Sequence, residues 1–381
     1  MKLHKLFLSA AIAASSLLCA CTGATPRHDS DSAGDTIKFK YAEHINIVKH
    51  DGYTTVTLDN PWKPGTTLHT YILVARADSA SQHNLPEGTI VYTPVNRTVV
   101  ATSPHCRLLL TLGAGASVKG MCDMQYITSP QLKQLAKNNA VADCGSSMNL
   151  SIEKIAACQP QAILVSPFEG SSYSQLENMG TPVIECADYM ETSALGRAEW
   201  MRFYGMLVGK EAAADSIFAM VDSAYCSIAS TAKRLKPQPK VMTERVTSGV
   251  WYCPGGKSSM ARLIADAGGR YAFDDDKHSG SLNLSPEKAI ERAAAADFWL
   301  FVYYGATPLT RDQLLTEYKG YGLMKAFKDG NIYECNGKLT PYFEEISFRP
   351  DLLLAELAAI FHPDIFNAHK RLYYFKENEQ K

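Results

Sequence analysis

The residues most able to do chemistry in this chain are its ten cysteines. Eight of them, Cys106, Cys122, Cys144, Cys158, Cys186, Cys226, Cys253 and Cys335, follow position 100, and no two have the CxxC spacing of a zinc or dithiol redox site. Oxidation to disulfides in an exporting compartment and burial as small apolar side chains are both open to them, and burial is the expectation. The run Gly255-Gly256-Lys257-Ser258-Ser259 has the end of a phosphate-binding loop. The glycine that must stand five residues before Gly256 is Trp251, so that loop is absent. There is no HExxH and no GxSxG. His105 invites a role as a base, but its place behind Ser103 and Pro104 is that of a helix-start residue near a cleft. No catalytic set, metal site or cofactor is expected, and the chain reads as a binding protein rather than an enzyme.

A second kind of chemistry is legible in aromatic and polar loops that follow apolar runs: SPHCR, CDMQY, SPFEGSSY, ERVTSGVWY and YYGATP. They carry His105, Tyr126, Phe168, Tyr173, Arg245, Trp251, Tyr252 and Tyr304, with Tyr303 expected in the core. Rings with few charges suit a large, partly apolar ligand held by stacking and a few hydrogen bonds. Loops beyond the carboxyl ends of parallel strands are where open α/β sheets bind ligands.

The elements that must position these loops alternate between strand and helix. RTVVATSPH, SVKGMCD, VADCGSS, AILV and TPVIECA read as strands, separated by helices that start near Ser103 and within SPQLKQLAKNN. A phrase then recurs: LSIEKIAACQPQAILVSP from Leu150 and LSPEKAIERAAAADFWLFVYYG from Leu284. Each predicts a helix capped by serine, Ser151 or Ser285, that leads into a buried strand. Between the two copies, residues 211–236 contain no proline. Ile217, Val221, Ala224, Ile228 and Leu235 form an apolar stripe along a helix of roughly 39 Å, long enough to bridge two lobes. A helix capped by Thr192 or Ser193 and stopped at Gly209 precedes it, and a last helix runs from Pro350 to Pro363.

The expected organisation is α/β. A signal peptide covers 1–20, a polar tether 21–36 and a β-rich addition 37–94. A first α/β lobe covers 95–192, connecting helices 193–236, and a second lobe 237–381. Net charge is −1, which leaves no general basic field for nucleic acid. Lys2 and Lys5 precede LFLSAAIAASSLL, an export signal, and Leu18-Cys19-Ala20-Cys21 resembles a bacterial lipobox that would place a lipid on Cys21. No later stretch approaches the apolar length of a membrane span, so the mature chain is expected to be anchored rather than spanning.

The lipobox, RTVVATSPH, the repeated phrase, the helix after Gly209 and the closing RPDLLLAELAAIFHP together resemble the iron-chelate and cobalamin family of ABC-transporter substrate-binding lipoproteins, over about Arg97 to Phe366. The resemblance implies two Rossmann-like lobes joined by one long rigid helix, the class III periplasmic-binding-protein fold, with ligand in the cleft between them. It implies a monomer on the periplasmic side of a bacterial membrane that passes an iron chelate, siderophore or haem, to permease subunits; a corrinoid is the runner-up. It also implies that one glutamate on each lobe docks to permease arginines, here Glu153 and Glu287. The β-rich addition and QPQA at Gln159 depart from the family pattern. A secreted enzyme and an adhesion lipoprotein are the rival classes.

Overall fold

The structure, a computed structural model, describes residues 34–79, 84–366 and 372–378; the expected signal peptide and Cys21 lie outside the described residues. Five strands come first: β1 Asp35–Ile37, β2 Ile45–Lys49, β3 Thr54–Asp59, β4 Thr67–Ala75 and β5 Thr89–Thr93. They form one sheet in that order, antiparallel except for the parallel β4 and β5 pair. Ile45 and Ile47 alternate with Asn46 and face Val56 and Leu58 across the hairpin, so one face is buried. Gly52 turns that hairpin at φ 83°, a conformation the missing Cβ makes accessible.

The first lobe contains β6 Thr98–Val100, β7 Val118–Met121, β8 Ala142–Asp143, β9 Ala162–Val165 and β10 Val183–Glu185. All are parallel, in the order β10-β9-β6-β7-β8. Parallel strands are covered on both faces, which is why β6 and β9 are apolar throughout apart from Thr98. Helices α1 Ser103–Thr111, α2 Pro130–Lys137 and α3 Ile152–Ala157 follow these strands. The second lobe repeats the plan with β11 Lys240–Thr243, β12 Arg270–Tyr271, β13 Phe298–Tyr303, β14 Ile332–Asn336 and β15 Lys376–Glu377. Their order is β12-β11-β13-β14-β15, and only β15 is antiparallel.

Two helices, α4 Ala194–Glu199 and α5 Met201–Leu207, lead to α6, Glu211–Ala232. Ser193 Oγ caps α4 by accepting from Gly196 N at 2.9 Å. Gly209, at φ 64°, turns the chain between α5 and α6. At 22 residues α6 is about 33 Å long and ends four residues before the expected Lys236. Its buried line is Ala214, Phe218, Val221, Tyr225, Ala229 and Ala232, one step around from the predicted stripe. Ile217, Ala224 and Ile228 flank it half-buried, because the bulky Phe218 and Tyr225 take the centre. The helix packs against α5 on the first-lobe side and, on the other, against α7 Ser259–Asp266 and the last long helix, α10 Pro350–Phe361. The expected serine caps divide. Ser285 Oγ accepts from Lys288 N at 3.4 Å to open α8, Pro286–Ala293, whereas Ser151 makes no cap bond to α3.

Candidate functional site

The carboxyl ends of β6 and β7 in the first lobe face those of β13 and β14 in the second across a cavity of about 210 Å³. Ala101 to Pro104, Asp123, Tyr126 and Thr128 line one wall. Tyr304, Gly337, Thr340, Phe343 and Glu344 line the other, the last two from α9, Tyr342–Glu345. Tyr126 meets Tyr304 edge to face at 6.3 Å, and Tyr304 stacks on Phe343 at 5.9 Å and 7°. The three rings are 58%, 53% and 43% exposed although they touch one another. Gly337 makes the stack possible, since a Cβ there would lie 2.9 Å from Tyr304 Cζ. Burial raises the Tyr304 phenol above its ordinary value, so its hydroxyl stays neutral and able to donate.

Glutamates of α9 join the lobes beneath these rings. Glu344 accepts from Thr128 N, from Thr128 Oγ1 at 2.7 Å and from Ser129 N at 3.2 Å, just ahead of α2. Glu345 pairs with Arg107 of α1 at 2.7 Å and accepts from Tyr374 OH. Asp123 holds a left-handed backbone, φ 53°, and its Oδ2 accepts from Ser147 N and Oγ.

Behind Thr102 lies a buried network. His105 is 2% exposed, its Nε2 is 2.7 Å from Asp188 Oδ1, and its Nδ1 contacts Thr102 Oγ1. Tyr204 OH and Arg197 Nε donate to the same carboxylate at 2.7 and 3.0 Å. Burial works against the imidazolium, but Cys186 and Asp188 beside it pull His105 up to about 10. Asp188, despite its own burial, is held down at about 2, by His105 first and then by Arg197 and Tyr204. With both ring nitrogens protonated, His105 donates to Thr102 Oγ1 and leaves the Thr102 hydroxyl proton to point elsewhere. A doubly protonated imidazole cannot act as a general base.

Of the eight residues expected at the ligand, Tyr126 and Tyr304 line the cavity. His105 is corrected to a buried support one layer behind it. Trp251 is corrected to core: it is fully buried against Trp299 and Tyr321, and its Nε1 donates to Thr243 O at 3.1 Å. Arg245 does not reach the cavity, because its guanidinium is paired with Glu317. Tyr173 is tied to Ser166 O at 3.1 Å, while Phe168, on a loop, and Tyr252, on the strand Val250–Pro254, are exposed and are not among the residues that line the cavity. Tyr303 is buried, as expected. Reading the sequence missed Asp123, Phe343 and Glu344. Phe343 and Glu344 follow GNIYECNG, the strand β14, so the rule used for the other loops would have found them. Glu153 and Glu287 are both exposed in the first turns of α3 and α8. All eight described cysteines are free thiols, seven of them buried. Burial pushes Cys122, Cys253 and Cys335 up to about 12. No helix among the described residues is long and apolar enough to cross a membrane, and no cluster there could hold a metal ion.

Residues 99–339 match the family described as periplasmic binding protein. Two uncharacterized lipoproteins of Methanocaldococcus jannaschii are similar over most of their length. One is 26% identical over 89% of this chain and 85% of its own, the other 25% identical over 88% and 86%. Among solved structures, a Fe3+-hydroxamate transport protein of Saccharomonospora viridis aligns at TM-score 0.56 and 18% identity, over 71% of this chain and 94% of its own. A periplasmic heme binding protein of Pseudomonas aeruginosa aligns at 0.54 and 18%, over 71% and 93%.

Proposed function

Because the chain belongs to the periplasmic binding protein family, of the type that captures iron chelates and cobalamin for ABC importers, we propose that it captures an iron chelate, siderophore or haem, and delivers it to a membrane permease. The observation that carries this reading is the cavity between the lobes, where Tyr126 from one lobe and Tyr304 and Phe343 from the other present half-exposed rings to a shared space. Rings on both walls hold a large ligand by stacking, and one helix between the lobes keeps the walls in register. Neighbours in fold described as hydroxamate and heme proteins agree with that ligand class. A lipid on Cys21 would keep the protein at the extracytoplasmic membrane surface, as the lipoprotein names of the relatives suggest.

Glu153 and Glu287 are the proposed permease contacts. They are exposed, each opens a helix that leads to an interior strand, and each lies on a different lobe. Replacing both with alanine leaves ligand affinity within about twofold, since surface changes away from a site cost under roughly 0.5 kcal/mol, while uptake falls sharply. The ligand itself is tested by an absorption spectrum of protein purified from its source. A ferric chelate or haem band supports the reading; a corrinoid band moves the ligand to the cobalamin side of the family.

A further inference from the structure

Resting on that function, we infer that the cleft selects chelates that present positive charge, and disfavours polyanionic ones. No lysine, arginine or histidine is among the residues that line the cavity, whereas two carboxylates, Asp123 and Glu344, are. Among the described residues neither carboxylate has a cationic partner; both accept only from backbone N–H groups and hydroxyls. The nearby cations are already matched. Arg107 is held by Glu345, and His105 and Arg197 share Asp188. The half-exposed rings of Tyr126, Tyr304 and Phe343 share one cavity with Asp123 and the buried Glu344, and this lining attracts an ammonium or a cationic metal complex through the ring quadrupoles and the carboxylate charge together. A ligand with three catecholate charges, or with the two propionates of haem, would meet those carboxylates with like charge. This favours a ferric hydroxamate chelate that carries a free ammonium.

The test is titration of the full-length protein in detergent with four probes. They are a ferric trihydroxamate with a pendant ammonium, the same chelate with that amine acetylated, a ferric tris-catecholate, and haem. Acetylation removes the charge and leaves the iron site intact. The ammonium chelate is expected to bind about tenfold tighter than its acetylated form, a difference in the range of a partly desolvated cation–π contact, with the two anionic probes weaker still. In Asp123→Asn that ratio is expected to fall to within about twofold. Asparagine tolerates the left-handed backbone and can keep the Ser147 bonds, so this variant folds even if Glu344→Gln, which alters a lobe contact, does not. Equal affinity for the two trihydroxamates, or tightest binding of the catecholate or haem, overturns the charge selection and leaves the iron-chelate function standing. A ratio that survives in Asp123→Asn overturns the assignment to the cleft carboxylates. Binding of none of the four probes overturns the proposed function and the charge selection with it.

Discussion

Buried glutamates join separate parts of this chain in two places, and the surroundings of the carboxylates differ. Where the N-terminal sheet meets the first lobe, Glu199 accepts from Lys40 N, Tyr41 N and Ala42 N at 2.8–3.1 Å. Glu191 beside it accepts from Glu43 N and His44 N and from Trp200 Nε1. Tyr71 extends the junction by donating to Val183 O and accepting from Glu185 N. The side chains around it, among them Ile47, Leu58, Trp200 and Phe203, are in the core. At the cleft, Glu344 and Glu345 use the same chemistry, but half-exposed rings and the partly exposed Arg107 flank them. A hydrogen bond to a charged acceptor is strongest where water cannot replace it. All four carboxylates are buried, Glu199 and Glu191 at 1% and 5% exposure and Glu344 and Glu345 at 3% and 7%, so the junctions differ in what lies beside them: core side chains at the sheet, and the rings that line the cavity at the cleft.

The largest expected effect breaks the sheet junction. Glu199→Ala leaves three backbone N–H groups without their acceptor and should lower unfolding stability by about 3 kcal/mol or more, read as a shifted urea midpoint. A midpoint within error of the parent would show that water replaces the lost acceptor at no cost.

The His105 network sharpens the comparison through pH. Its folded value, about 10, lies above the ordinary 6.5, so its contribution is fully present below pH 6.5 and is lost as pH rises through 10. Between those limits stability should fall by up to about 1.4 kcal/mol per pH unit. Asp188 acts in the opposite sense, and its contribution is lost as pH falls from about 4 toward 2. Denaturant midpoints of His105→Gln should vary less than the parent's between pH 7 and 10; equal slopes would place the titration elsewhere.

A smaller effect belongs to the cleft contact. Glu345→Gln weakens a pair whose arginine is partly exposed and should cost about 1 kcal/mol in the same urea assay. A loss as large as that of Glu199→Ala would erase the distinction between the two junctions. The least change is expected in overall shape. An unbroken 22-residue helix joins the lobes, so small-angle scattering profiles with and without ligand should superpose, and a marked compaction would mean that α6 bends.

Local pattern made the fold legible. Repeated helix-to-strand phrases, a proline-free stretch and glycine stops fix element type within a few residues. The stripe on α6 was read one step off because periodicity locates a face but not which large side chains the neighbouring helices accept. Trp251 was separable in principle: in Val250–Pro254 burial alternates, so Trp251 turns inward and Tyr252 outward. His105 was not separable, because its partner Asp188 lies 83 residues away in sequence, and for Glu344 the loop rule gives the place but not the bond to Thr128, 216 residues away. Only the folded chain shows that His105 is enclosed and that Glu344 ties one lobe to the other.

The central claim, that rings from both lobes hold the ligand between them, is tested most directly by titrating the purified protein with a ferric trihydroxamate and comparing Tyr126→Ala and Tyr304→Ala with Phe168→Ala and Tyr252→Ala. All four positions are exposed, so unfolding midpoints should stay near the parent's. Saturation at one chelate per chain is predicted, with affinity reduced about tenfold or more in the first two variants and unchanged within about twofold in the second two. Parent-like affinity in Tyr126→Ala and Tyr304→Ala, with binding lost in Phe168→Ala or Tyr252→Ala, would contradict the account and move the ligand out of the cleft.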